Sequence, residues 1–351
     1  MWGYQTGIVI YQGLILKIFN SELAIKIINA IFSSLTVVLV YKGASKLTNE
    51  KTGKIVSLLY MILPISLILN SMLNNQILSA LLMYIGIFFL IKKEKKLKDY
   101  IISAILISFG NIIRPEGIVV VFSLLVYELL KFKKEAAVDI AKKVLVFLVI
   151  YLFIGKTASF IVQKTNINPI GLENKNPLWK FVLGFNSDSC GYYTEDDEKY
   201  IQDKDLEKKI IKERLSNPEK IAKLEVCKIE HFWLLPDEST RSNTLSNKKY
   251  KIFNHEFEYK TLENIALKLN SFIYLITLIM CFIGIILNRK KMYEDNSVFF
   301  VILFITTFFV YLLIEINSKY IYFILISIFI LSSYGYDYLL SKIKGVISHE
   351  K

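Results

Sequence analysis

The stretch "ISFGNIIRPEGIVVVF" (Ile107–Phe122) sets an arginine, a proline and a glutamate between two apolar runs. A charged side chain deep in a bilayer is costly, so these residues must lie at a membrane surface or serve a function. Pro115 disfavours helix at Arg114 and favours a new helix after it, which predicts a helix-to-helix corner. Glu116 then falls in the first turn of the following helix, where the helix dipole favours a carboxylate. The stretch therefore predicts two apolar helices joined at an interface.

The rest of the chain follows the same pattern. Apolar residues make up 54% of the 351, with 6 prolines and 15 glycines. This spread excludes a soluble domain and predicts an all-α integral membrane protein. Segments of roughly 17–25 residues, long enough to cross a hydrocarbon core, fall at 22–42, 53–69, 72–91, 98–113, 116–131, 143–162, 268–287, 297–314 and 320–340, which predicts about nine transmembrane helices. Six of them lie in 22–162 and three in 268–340. Residues 163–267 form a polar block with helical patterning, and 341–351 a short tail.

The net charge of +12 fits a membrane better than nucleic acid. The basic loops "YKGASKLTNEKTGK" (41–54), "KKEKKLK" (92–98), "KFKKEAAVDIAKK" (131–143), "NRKK" (288–291) and "SKIK" (341–344) all fall on one side of the nine-helix layout. The positive-inside rule assigns that side to the cytoplasm. Residues 1–21, the turn at Asn70 and Ser71, the Arg114 corner, the 163–267 block and the turn 315–319 then lie outside a multi-pass cell-membrane protein.

The opening segment, 1–20, lacks the basic start and small-residue cleavage site of a signal peptide. It predicts an amphipathic helix in the external interface, with Trp2 and Tyr11 at headgroup level. Cys190 and Cys227 share the external block, where a disulfide or two free thiols both fit, while Cys281 lies within an apolar run as a packing residue. The sequence has no zinc-ligand spacing, phosphate-binding loop or nucleophile elbow.

Alone, Arg114 would be read as snorkelling to lipid phosphates. Two other external turns carry companions: "NSMLNNQ" (70–76) supplies Asn75 and Gln76, and "EINSKY" (315–320) supplies Glu315, Lys319 and Tyr320. With Glu116 these predict a polar pocket in which Arg114 and Lys319 bind the phosphate of a lipid-linked sugar and the neutral and acidic groups bond its hydroxyls. In the external block, "NPLWKFVLGFNSDSCGYYTEDDEKY" (176–200) mixes aromatics that can stack on sugar rings with an acidic run, Glu195–Glu198, that is either solvated or holds a divalent cation. "LEKKIIKERLSNPEKIAKLEVCKIEHFWLL" (206–235) predicts two amphipathic helices broken at Asn217-Pro218, the second ending in an interfacial anchor of His231, Phe232 and Trp233. His255 and His349 have no companions for a metal site or triad.

With these residues located, the chain resembles the GT-C glycosyltransferases of the protein-mannosyltransferase and lipid A aminoarabinose transferase type. The resemblance rests on Tyr4–Leu47, on "LLYMILPISLILNSMLNNQILSALLMYIGIFFLI" (58–91), on the corner "GNIIRPEG" (110–117) and on "IEINSKYIYFILISIFILSSYG" (314–335), with "LGFNSDSCGYYTEDD" (183–197) similar to a loop of Gram-positive members. It implies transfer of a sugar from a polyprenyl-phosphate donor to a glycan, lipid or protein acceptor on the outer face of a bacterial envelope. A carboxylate would act as base and cationic groups, in some members with a divalent cation, would stabilise the leaving phosphate. The family's catalytic aspartate follows a first span and is expected upstream of Met1, so the chain by itself is expected to lack turnover. Gln76 stands where the family has glutamate, and Lys319 where it has arginine. Two other readings remain open: a transporter, flippase or polysaccharide polymerase, and a non-catalytic lipid-sugar binding protein.

Overall fold

The computed structural model describes residues 2–131, 137–201, 203–235, 248–252 and 255–349, so basic-loop positions 132–136 and the last two residues of the tail lie outside the described residues. The chain is almost entirely helical: α1 (Thr6–Phe19), α2 (Glu22–Leu47), α3 (Glu50–Met61), α4 (Pro64–Asn70), α5 (Gln76–Leu90), α6 (Leu97–Ile113), α7 (Gly117–Leu130) and α8 (Ala137–Lys164) form the first part. The polar block contributes α9 (Trp179–Gly184), α10 (Lys204–Leu215), α11 (Pro218–Lys228) and a two-stranded antiparallel hairpin, β1 (Lys249–Ile252) with β2 (His255–Glu258). Three long helices follow, α12 (Tyr259–Glu294), α13 (Val298–Leu313) and α14 (Tyr322–His349).

Burial is arranged as in a bilayer rather than in water. The middle of α14 is apolar on every face, and a helix of that kind must be enclosed. Ile324, Leu325, Phe329 and Leu331 have no exposed surface, and the helix packs between α2, α3, α5, α12 and α13. At the periphery, α2 turns Leu23, Ile27, Ile31 and Leu35 outward at helical spacing while burying Asn29, Ser33, Thr36, Gly43 and Ala44. Small and polar residues inward with aliphatic residues outward is the packing expected where lipid is the solvent. α8 does likewise, exposing Leu145, Val149, Leu152 and Phe153.

Helices occupy all nine expected segments, but not as nine full spans. Among the described residues, four have the length and composition to cross a membrane: Glu22–Leu47, Ala137–Lys164, Tyr259–Glu294 and Ser318–Ile343. A fifth is reached if α3 and α4, bent by 56°, act as one. α5, α7 and α13 are apolar but shorter, and a helix of about 15 residues covers only about 22 Å of a roughly 30 Å core. The bend at α3 and α4 follows from Pro64, which starts α4 and cannot donate to the preceding turn. The backbone N–H of Ile65, freed there, donates to Asn270 Oδ1 of α12 at 3.1 Å, so that backbone donor is not stranded.

The basic loops gather at one end of the bundle. Lys291 donates to the Leu47 carbonyl at 2.8 Å, Asn296 to that of Lys92 at 2.9 Å, and Lys131 to Asn296. Asn49 and Thr52 both donate to Asp337, and Lys95 pairs with Glu128 at 2.5 Å. The corner at Arg114, the start of the chain and the polar block meet at the other end. There α1 crosses α6 closely: a Cβ at Gly7 would sit 2.0 Å from the Ile112 carbonyl oxygen, so only glycine fits.

The polar block has a small core of its own, Trp179, Val182 and Leu183 under Ile210 and Ile211 of α10. The break at Asn217-Pro218 is present, with Asn217 capping α11 through Lys220 N at 3.1 Å. Cys190 and Cys227 are joined in a disulfide, and Cys281 is a buried free thiol. The interfacial anchor is not observed as expected. Phe232 and Trp233 are buried against Tyr311, Phe304 and Phe308 of α13, and only His231 is exposed. Aromatic surface of this size gains more by packing edge-on to other rings than by facing headgroups.

Glu207 on α10 is fully buried and neither carboxylate oxygen meets a hydrogen-bond partner. Burial pushes its carboxyl above the ordinary range, with Asn176 nearby pulling the other way. Because the folded pKa is raised, the group's contribution is most favourable below about pH 4.3 and is lost as pH rises through the folded value. Glu207→Leu should therefore stabilise the protein at pH 7 by about 1–3 kcal/mol, the cost of an unsatisfied buried group, and by less at pH 4. Thermal unfolding of detergent-purified protein at both pH values measures this, and equal or negative shifts would contradict it.

Candidate functional site

The corner predicted at residue 114 is where α6 ends. The Arg114 backbone is extended, and its N–H closes the last turn of α6 onto the Gly110 carbonyl at 2.9 Å. The side chain turns into the protein. Nε donates to Glu116 Oε1 at 2.6 Å and NH1 to Asn75 Oδ1 at 3.1 Å, and the guanidinium lies 4.4 Å from the centre of the Tyr320 ring. Arg114 and Glu116 are both buried, so the guanidinium is held rather than snorkelling. Tyr311 of α13 adds a hydroxyl donated to Glu116 Oε1 at 3.2 Å, and its ring stacks on Tyr320. Residues from four elements are thus tied to one cation.

The second cluster lies on the turn between α13 and α14. Glu315 is buried, and its Oε1 accepts the Tyr320 hydroxyl at 3.2 Å. Its Oε2 accepts from Lys180 of α9, not from Lys319, and the Glu315 N–H donates to the Lys180 carbonyl at 2.9 Å. Lys180 thus holds Glu315 twice, its ammonium on the carboxylate and its carbonyl on the backbone N–H. Lys319 is half-buried, and its ammonium makes no hydrogen bond or salt bridge among the described residues.

Both clusters border one cavity of about 880 Å³, within the size range of ligand sites. Arg114, Glu116, Asn75, Glu315, Lys319 and Tyr320 all line it. Gln76 does not: it is buried, with Oε1 unpartnered, behind the Asn74 cap that holds its backbone N–H at 3.0 Å. The two amides are neighbours in sequence, and of the two only Asn75 lines the cavity. The remaining wall is largely apolar, with Ile118, Val119, Val310 and Phe323 from the bundle.

Sequence reasoning missed Lys180, Tyr311 and Tyr4 as lining residues, and Trp2, expected at headgroup level with Tyr11, also borders the cavity. Asp197 is committed to Arg214 at 2.6 Å and to Asn186 at 2.8 Å, and among the described residues no group of three or more His, Cys, Asp or Glu side chains could hold a metal ion.

A collar from the polar block fixes the Glu315 turn. Lys228, fully buried, donates from Nζ to the carbonyls of Leu312 at 2.6 Å, Ile314 at 3.2 Å and Tyr311 at 3.3 Å, capping the C-terminus of α13. Burial pushes its ammonium down to about 8, opposed by Glu225. Gly191, at φ +76°, leaves room for the Lys228 stem, and its carbonyl accepts the Ile316 N–H at 3.0 Å. The Cys190–Cys227 disulfide joins the residues that flank these two.

A helical membrane protein with a cation-lined, apolar-walled cavity at the end opposite its basic loops is the class that fold and site define. Residues 9–158 match the family model described as dolichyl-phosphate-mannose-protein mannosyltransferase, so that part of the chain is similar to a membrane glycosyltransferase family. The matched stretch contains Asn75, Arg114 and Glu116 but not Lys180, Glu315, Lys319 or Tyr320. No curated protein and no solved structure matches the chain.

Lys180→Met should destabilise the protein by about 1.5–3 kcal/mol, the range for a hydrogen bond to a charged group, by leaving Glu315 buried and unpaired. Adding Glu315→Gln should recover part of that loss. Denaturant unfolding of the two single variants and the double variant gives the coupling, and strictly additive losses would show that the pair does not interact.

Proposed function

We propose that this protein is a GT-C-type glycosyltransferase that moves a sugar from a polyprenyl-phosphate donor to an acceptor on the extracytoplasmic face of the cell membrane. The observation that carries the reading is the pairing of one held and one unpaired cation on a single apolar-walled cavity. Arg114 is fixed by Glu116, Asn75 and Tyr320, while Lys319 has no salt-bridge partner among the described residues. A phosphate with a lipid tail matches that combination: its oxygens meet the guanidinium and ammonium, and its first isoprene units meet Ile118, Val310 and Phe323. The nine-helix layout, with 163–267 outside, remains part of this proposal. The basic loops at the opposite end support it through the positive-inside rule, and the Cys190–Cys227 disulfide supports it because such bonds persist outside the reducing cytosol.

In the reaction, an acceptor hydroxyl oxygen forms a bond to the anomeric carbon as the bond from that carbon to the phosphate oxygen breaks. The electron pair leaves with the phosphate, and the hydroxyl proton passes to a base. Negative charge grows on the leaving oxygen, so preorganised cations there lower the barrier more than they tighten ground-state binding. Arg114 and Lys319 occupy that role. Glu315, held by Lys180 and Tyr320, presents a fixed carboxylate edge on the cavity and orients the acceptor.

Membrane vesicles containing a full-length form of the protein, supplied with radiolabelled undecaprenyl-phosphate sugars, test this. Arg114→Ala should lower transfer by about 100-fold or more, the scale of losing a charge-stabilising group, with membrane insertion unchanged. Lys319→Arg should retain most activity, since charge and reach persist. Transfer that survives Arg114→Ala would remove the phosphate role. Sidedness is checked separately: after mild reduction of intact cells, a membrane-impermeant maleimide should label Cys190 and Cys227 but not Cys281, and labelling only after lysis would invert the layout.

A further inference from the structure

A second cavity, of about 530 Å³, lies on the polar block, and the first site makes no use of it. The two cavities share a wall. Along residues 193–201, Tyr193, Glu198 and Ile201 line the first, whereas Thr194, Asp196, Lys199 and Tyr200 line the second. The same division continues through α9, where Lys180 and Leu183 face the first cavity and Phe185 and Asn186, just beyond it, face the second. A chain-like ligand could therefore lie with one end at Glu315 and the next units across the wall.

The chemistry of the second cavity selects among such ligands. Its carboxylates, Asp188, Asp196, Asp197 and Glu213, stand against Lys199, Arg214 and Lys220. Asp197 and Arg214 already neutralise each other, with Nη2 and Oδ1 2.6 Å apart. The lining thus has no strong charge preference, unlike a site for nucleic acid or a polyanion. The lining carries short oxygen- and nitrogen-bearing side chains, Ser187, Asp188, Ser189, Thr194, Asp196 and Asn217. Ser189 donates to the Tyr192 carbonyl at 2.9 Å, Thr194 accepts from the Asp196 N–H and Asn217 caps α11, so the exposed carboxylates of Asp188 and Asp196 are the groups placed to accept from sugar hydroxyls. Phe185 and Tyr200 add half-exposed rings, which take the C–H faces of pyranose units. The wall behind is rigid: Asn186 and Asp197 are buried and bonded to each other at 2.8 Å, and Arg214 also donates to the Val182 carbonyl at 2.5 Å. A lipid acceptor would find little apolar surface here.

We infer that this second cavity is a subsite for a neutral glycan chain, and that the acceptor of the reaction is such a chain, its reactive hydroxyl at Glu315 and its following sugar units between Tyr200 and Asp196. The acceptor assignment rests on the transferase reading above; the subsite does not. Two weak contacts on one chain act as one stronger one, because the second is held at high effective concentration.

The test uses the full chain in nanodiscs with linear trisaccharides of mannose, glucose or N-acetylglucosamine as probes, read by saturation-transfer NMR. At least one trisaccharide should bind saturably, and Asp188→Ala and Asp196→Asn, both at exposed positions, should each weaken it about tenfold, the scale of one hydrogen bond to a charged group. Arg114→Ala should leave this binding intact. Tyr200→Ala should also weaken it, but Tyr200 packs on the small core, so the aspartate variants decide. No binding by any of the three, or binding unmoved by both aspartate variants, would overturn the subsite. Binding of a Ser/Thr-rich octapeptide in place of the trisaccharides would overturn it in favour of a protein acceptor. Trisaccharide binding without sugar transfer in vesicles would remove the transferase reading and keep the subsite, and transfer without trisaccharide binding would do the reverse.

Discussion

The buried ion pair of Arg114 and Glu116 is the constraint around which one end of the molecule is organised. A guanidinium withdrawn from water is tolerable only if its charge and its donors are met, and here they are met by groups from distant segments. Glu116 comes from the same corner, Asn75 from the turn before α5, Tyr320 from the turn between α13 and α14, and Tyr311 from the last turn of α13 by way of Glu116. Each group is satisfied only when all four segments are in place, so the pair fixes the mouth of the bundle. The cavity is what remains between segments that converge on one cation. Its apolar wall is the lipid-facing logic of the bundle continued inward.

That dependence also explains how much could be read from the chain. The apolar runs located a helix in each expected segment, because hydrophobic length is a local property. Arg114-Pro115 announced a corner by itself, and the convergence of the 75, 114 and 315–320 turns followed from the alternation of basic loops. What could not be read was which polar group meets which. Lys180 lies 135 positions from Glu315 and sits in a segment whose aromatics suggested only sugar stacking. Gln76 and Asn75 are neighbours with the same chemistry, and one residue of helix rotation puts one in the cavity and the other behind it. Phe232 and Trp233 have the composition of an interfacial anchor, yet rings buried against α13 and rings at a headgroup carry the same local signal. Span number was the hardest to read, since several helices are apolar but too short to reach the expected length.

The polar block is best understood as part of the site rather than an appendage. Its small core holds α9 so that Lys180 reaches Glu315, and its 193–201 segment divides two cavities. The disulfide and the Lys228 cap bind it to the end of α13. Nothing in this arrangement needs a large interface, because the few contacts are made to backbone groups whose positions the bundle has already fixed.

The Lys228 cap has a consequence for how the protein is made. Its three acceptors lie 83 to 86 residues further along the chain, at the end of a helix that is synthesised after the whole polar block. Until α13 is inserted, the ammonium has no carbonyls to receive it and stays hydrated, and Gly191 has no Ile316 N–H to bind. The block can close its own disulfide while it waits, but it can dock only when the last helices arrive. Assembly of the cavity is thereby tied to completion of the chain.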